Sequence, residues 1–127
     1  MPVPCGEQNG FQPRIEDLRA TVTDRTAAIL FCSPNNPTGA VYSRELLTEI
    51  GHLAAEHGLF VISDEIYEAL VYDEARHYSV AALCPGIKDN CIVINGVSKT
   101  YAMTGWRWGT LRSPGYHQGH VQPAGAL

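Results

Sequence analysis

Two lysines occur in the chain, Lys88 and Lys99, and their settings differ. Lys88 lies in a polar turn, Pro85-Gly86-Ile87-Lys88-Asp89-Asn90, whereas Lys99 follows the apolar run Cys91-Ile92-Val93-Ile94-Asn95 and the linker Gly96-Val97-Ser98. A lysine amine, with an ordinary pKa near ~10.4, is mostly protonated at neutral pH, so Schiff-base chemistry requires partial burial or neighbouring positive charge to free its lone pair. Arg107, eight residues on, can supply that charge and can also hold a phosphate. Lys99 is therefore the candidate nucleophile. A loop lysine is ordinarily a solvated surface group, and what sets Lys99 apart is the company at neighbouring strand ends.

That company suits a phosphorylated pyridine aldehyde. Asp64 can pair with a pyridinium nitrogen and keep it protonated, so that the ring accepts a carbanion's electrons. Asn36 and Tyr67 can hydrogen-bond a ring hydroxylate, and Ser98 with Arg107 can bind a phosphate. Taken singly, each has a plainer explanation. An asparagine in a proline-rich turn ordinarily forms the turn, and an aspartate after a strand ordinarily caps a helix.

The elements that must position these residues are legible as hydrophobic patterns. Arg14 to Val22 carries Ile15, Leu18 and Val22 on one helical face. Thr26 to Cys32 is a continuous apolar run ended by the stiff loop Ser33-Pro34-Asn35-Asn36-Pro37-Thr38-Gly39, which predicts a buried strand. Ser43 is placed to cap a helix in which Leu46, Ile50, Leu53, Ala54 and His57 recur at helical spacing until Gly58 stops it. Leu59 to Ser63 is a second buried strand, so the unit is βαβ with parallel strands and a right-handed crossover expected. Asp64 and Glu65 follow that strand, Gly96 to Lys99 follow a third over Cys91 to Asn95, and a fourth is expected to begin after Gly105, over Trp106 to Leu111. Open parallel sheets bind ligands at this carboxyl edge.

With those motifs in view, the sequence resembles the central part of a class I aminotransferase of the fold-type-I pyridoxal phosphate-dependent family. Ser33 to Gly39 is similar to the family's Asn-Pro-Thr-Gly loop, and Ser63-Asp64-Glu65-Ile66-Tyr67 to its aspartate motif. Asn95-Gly96-Val97-Ser98-Lys99, followed by Met103-Thr104-Gly105-Trp106-Arg107, is similar to its lysine motif. Order and separations agree over Gly10 to Gly109. The wording of Tyr101 to Arg107 is most similar to prokaryotic-type aspartate aminotransferases, while alanine, aromatic and kynurenine enzymes carry similar phrases.

The resemblance implies pyridoxal 5′-phosphate as cofactor, with Lys99 as its Schiff-base anchor and general acid/base. It also implies Asp64 at the pyridine nitrogen, Asn36 and Tyr67 at the ring oxygen, and Ser98 and Arg107 at the phosphate. The activity implied is transamination between an amino acid and a 2-oxo acid, aspartate-type favoured. The fold implied is α/β: part of a three-layer sandwich whose mostly parallel sheet has crossover helices and an antiparallel strand after Arg107. Full-length members would be homodimers.

Composition narrows the remaining classes. With 127 residues, 45% hydrophobic and 17% charged, the chain has the make-up of a modest globular domain with a core, not of a disordered segment. Its net charge of −4 and scattered basic residues argue against nucleic acid as a partner. No apolar run approaches the roughly 20 residues that span a bilayer, and Met1 to Gly10 lacks a signal-peptide pattern, so a cytoplasmic protein is expected. Cys5, Cys32, Cys84 and Cys91 form no CxxC pair, and His117 with His120 is the only close histidine pair; no metal is expected.

Two domains of unequal standing are expected: a partial cofactor-binding domain over 1–112, and a tail over 113–127, rich in Gly and Pro, that departs from the family pattern and is expected to be poorly ordered. Family members are considerably longer, holding the phosphate turn and stacking aromatic upstream and the substrate-carboxylate arginine downstream. The resemblance therefore implies a fragment inactive alone, with exposed sheet surface prone to aggregation. Alternatives are a noncatalytic truncated or partner-binding product, a β-lyase or cyclising synthase on the same scaffold, and a plain α/β binding module.

Overall fold

A computed structural model describes residues 1–113 with their side chains and the backbone of 116–121. Helix α1 (Ile15–Thr21) buries Leu18, and helix α2 (Arg44–His57) is the main one. Both ends of α2 are set by local chemistry: Ser43 Oγ accepts the Leu46 N–H at 3.1 Å, and Gly58, at φ 63°, returns its N–H to the Ala54 and Ala55 carbonyls. Leu46, Leu47, Ile50, Leu53 and Ala54 form its buried stripe.

Strands β1 (Ala28–Cys32), β2 (Phe60–Asp64), β3 (Cys91–Gly96), β4 (Gly109–Ser113) and β5 (Tyr116–Val121) form one sheet in that order. The pairs β1–β2 and β2–β3 are parallel; β4 is antiparallel to both its neighbours. All the strands except β4 thus run the same way, the mixed α/β, mostly parallel architecture expected from the sequence. Registers Ile29↔Val61↔Cys91 and Leu30↔Ile62↔Ile92 divide the strands between two faces. The first set joins the stripe of α2 in the core. The second lies on the opposite face, where Leu30 is 70% and Phe60 47% exposed. Parallel sheets ordinarily have both faces covered, and among the described residues this one is covered on one side only.

Four elements differ from the sequence expectation. The fourth strand starts at Gly109, not Trp106, because Thr104–Trp106 winds into a 3₁₀ turn and Arg107 adopts φ 50° before the chain straightens. Helix α3 (Val80–Leu83) and the 3₁₀ turn Pro85–Asn90 were not predicted; each is too short to show a period. Within the Gly- and Pro-rich tail, expected to lack order, Tyr116–Val121 pairs with β4, since a main-chain ladder needs no side-chain alternation. Residues 114–115 and 122–127, and the side chains of His117 and His120, lie outside the described residues.

Close packing of α2 on α3 depends on Gly51. A Cβ there would fall on Cys84 Sγ and 2.8 Å from Cys84 Cβ. Gly51→Ala is therefore expected to lower unfolding stability by about 1–3 kcal/mol in urea titration, with part recovered by adding Cys84→Gly.

Burial also sets an alkaline limit. Desolvation pushes the Cys91 thiol from 9.0 to about 11, with Glu65 and Cys84 adding to it. Tyr42, stacked on Phe31 with ring centroids 5.6 Å apart, is pushed from 10.0 to about 12, chiefly by burial. Both groups hold their protons more tightly folded than unfolded. Their contribution is complete below the unfolded values and is lost as pH rises through 9.0 to about 11 for Cys91 and 10.0 to about 12 for Tyr42. Urea midpoints measured across this range should fall, and less steeply in Cys91→Ala.

Candidate active site

The loop after β1 is built around Asn35, not Asn36. Asn35 N–H donates to Ala40 O at 2.8 Å, its carbonyl accepts from Gly39 N–H at 2.9 Å, and its side-chain oxygen accepts from Thr38 Oγ1 at 2.9 Å. Buried Ser33 Oγ accepts the Tyr42 N–H at 2.9 Å and ties the loop's far end back to β1. Asn36 is thus relieved of the turn-forming role: its side chain is exposed and has no hydrogen-bond partner among the described residues.

Asp64 ends β2 opposite Cys32 on one side and Ile94 on the other. Its Oδ1 accepts the Ile66 N–H at 3.1 Å, which starts the turn toward Tyr67. The Cys32 thiol reports how close these groups lie. Burial pushes its pKa up, the Asp64 carboxylate adds to that, and a hydrogen bond from the Asn36 backbone pulls it back.

Lys99 lies in the short helix α4 (Val97–Thr100), directly after β3. Gly96 makes the junction possible: a Cβ there would come within 3.0 Å of Ile66 Cδ1 and of the Trp108 carbonyl oxygen. That carbonyl accepts the Val97 N–H at 3.2 Å, while Gly96 N–H donates to Asn95 Oδ1 at 2.7 Å. Lys99 Nζ lies over the Tyr67 ring, 5.5 Å from its centroid. A cavity of about 460 Å³ beside it is lined by Ser98, Lys99, Thr104 and Arg107, with Ile66 and Ile94 among its apolar walls.

The six sequence candidates therefore fall into a series along one sheet edge. Asn36 and Asp64 flank Cys32, Tyr67 meets Lys99, and Lys99 shares a cavity with Ser98 and Arg107. Asn36, Asp64 and Tyr67 do not line that cavity. Lys99 itself is exposed, so the burial expected around it is not supplied by the described residues; the nearby cation is. Sequence reasoning missed Gly96 and Thr104, whose roles are visible only once β4 returns beside β3. A larger depression of about 770 Å³ between the N-terminal segment, α1 and β1 holds none of the six.

Glu65, Glu68 and His77 bring one ligating atom each within 4.8 Å of one another, although Glu65 and His77 are already bonded to each other. Among the described residues, no helix is long and apolar enough to cross a membrane.

Comparison with known proteins bears directly on this edge. The family model for aminotransferase class I and II matches residues 1–114. The chain belongs to that family. It is 53% identical over 112 residues to an aspartate aminotransferase of Streptomyces avermitilis, covering 88% of this chain and 28% of that protein. It is 45% identical to the glutamate-pyruvate aminotransferase AlaA of Escherichia coli, covering 93% of this chain and 29% of the relative. Among solved structures, the aromatic aminotransferase of Pyrococcus horikoshii superposes with a TM-score of 0.85 at 49% identity, over 88% of this chain and 30% of that one. This member of the aminotransferase family thus spans less than a third of the relatives it matches.

Because the Trp108 carbonyl is backbone and cannot rotate away, Gly96→Ala should push β4 from β3. We expect a loss of about 1–3 kcal/mol in urea unfolding, with changed amide shifts at Val97 and Trp108 in NMR spectra.

Proposed function

We propose that the chain is the cofactor-cradling part of a pyridoxal 5′-phosphate-dependent aminotransferase. The single observation that carries this reading is Lys99, placed over Tyr67 and sharing a cavity with Ser98 and Arg107, at the carboxyl ends of adjacent parallel strands. The donor set fits such a group. The cavity is of ligand size, against a usual range of about 300–1,000 Å³, and combines an amine, a guanidinium and hydroxyls with apolar walls. When bound, the cofactor supplies an aldehyde for the amine and a ring that takes up electrons from the substrate's Cα–H bond.

The chain's own residues do the rest. Lys99 would be the nucleophile toward that aldehyde and, with its amine free, the base that moves the Cα proton. Arg107 and Ser98 hold the phosphate, Arg107 as a charge-assisted donor. Asp64 keeps the ring nitrogen protonated, and Asn36 and Tyr67 hydrogen-bond the ring oxygen.

The substrates proposed are an amino acid and a 2-oxo acid, with aspartate favoured by the 53% identity to an aspartate enzyme. A homodimer and a cytoplasmic setting are proposed with it; the four free thiols support a reducing compartment. A second reading, a noncatalytic fragment, is favoured by one observation. Arg107 is the only arginine lining the cavity, so, apart from the Lys99 amine itself, the described residues there offer no second cation for a substrate carboxylate.

Mixing the purified chain with pyridoxal 5′-phosphate should change its visible absorbance, and borohydride should then fix the label on Lys99 but not Lys88, as read by peptide mapping. Lys99→Ala should abolish the labelling, and Arg107→Ala should weaken binding about tenfold or more. A label spread over both lysines would sink the reading. The 127-residue chain alone is expected to show no useful transamination; turnover that Lys99→Ala abolishes would overturn the fragment reading.

A further inference from the structure

Glu65 follows Asp64 but turns to the opposite side of the sheet, where it is 3% exposed. Its Oε1 accepts from Ser63 Oγ at 3.0 Å and from Ser79 Oγ at 2.9 Å, and its Oε2 lies 3.3 Å from His77 Nε2. A single buried carboxylate is thereby bonded at both ends of segment 66–78, to Ser63 before it, to His77 near its far end and to Ser79 just after it.

The segment between has few other restraints. It contains no regular helix or strand, residues 68–70 and 72–76 are exposed, and its main-chain bonds are turn contacts such as Leu70 N–H to Tyr67 O at 2.8 Å. Ser79 stands at the N-cap of α3 yet makes no side-chain cap bond; its hydroxyl serves Glu65 instead. The His77 ring is held through Nε2, its buried Nδ1 having no partner among the described residues. A buried carboxylate is costly unless paired, so these partners are strongly coupled to it. Tyr67, whose ring lies under Lys99 Nζ, is carried by the segment they close.

We propose that Glu65 is a positioning residue for the candidate site: by joining Ser63 to His77 and Ser79 it closes the 66–78 segment and sets Tyr67 beside Lys99. The part concerning Tyr67 and the cofactor rests on the function proposed above, while the part concerning Tyr67 and Lys99 does not.

The test uses the whole 127-residue chain. Amide hydrogen exchange is followed by mass spectrometry, and the rate of acylation of Lys99 by acetic anhydride is measured against Lys88 in the same molecule. Glu65→Ala should speed exchange over 66–78 about tenfold while α2 keeps its protection, and should shift the Lys99-to-Lys88 ratio in the same direction as Tyr67→Ala. Glu65→Gln retains an oxygen for both serines and an amide for His77, and should restore both readouts.

If Glu65→Ala also strips protection from α2, Ser79→Ala, which removes one bond only, decides: selective exchange over 66–78 with a shifted ratio supports the proposal. Unchanged exchange, or faster exchange with an unchanged lysine ratio, overturns it. With pyridoxal 5′-phosphate added, Glu65→Ala should move the absorbance maximum of the fixed chromophore as Tyr67→Phe does. No label on Lys99 in the unmodified chain would instead overturn the cofactor reading, leaving the exchange and acylation results to decide the role of Glu65.

Discussion

Everything at the candidate site depends on the flush carboxyl ends of three neighbouring strands. Cys32, Asp64 and Ile94 stand in one row of the sheet, and the ladder continues past them: Ser33 N–H donates to Asp64 O at 3.1 Å and Glu65 N–H to Ile94 O at 2.8 Å. Strands in a sheet lie about 4.8 Å apart, so three loops that are far apart in sequence begin within about 10 Å of one another. Asp64 stands in that row, and Asn36 and Lys99 need only short excursions from it. Slipping one strand by a single residue would send Asp64 to the wrong face.

The same period of two separates packing from chemistry. Val61, Ser63 and Glu65 face the side covered by α2 and α3, where Leu47, Ile50 and Leu53 are almost wholly buried. Phe60, Ile62 and Asp64 face the other side, which the described residues leave open. Asp64 and Glu65 are consecutive carboxylates with opposite surroundings: one starts a turn at the candidate site, the other is enclosed by two serines and a histidine. An exposed apolar row beside Asp64 accords with a chain spanning less than a third of its relatives, in which parallel sheets require cover on both faces.

The return of β4 beside β3 completes the cavity. Gly96 lets the Trp108 carbonyl approach, the 3₁₀ turn at Thr104–Trp106 reverses the chain, and Arg107 is brought back toward Ser98 and Lys99. Eight residues of sequence separation thereby become two sides of one cavity.

By itself, the sequence determined the long elements and the identity of the chemical groups. The strand at Ala28–Cys32, the helix at Arg44–His57 with its Ser43 and Gly58 ends, and the parallel strand at Phe60–Asp64 each follow from patterns within a single window of chain. The motifs around Asn36, Asp64 and Lys99 are contiguous too, and so was the family. Only the tertiary structure decided what those groups meet: that Asn35 and not Asn36 makes the turn, that Lys99 stands exposed over Tyr67, and that Glu65 closes the segment carrying Tyr67. It also decided the late start of β4 and the pairing of Tyr116–Val121. These depend on bonds between residues distant in the chain, and on backbone pairing that is indifferent to side chains; neither leaves a period in the sequence.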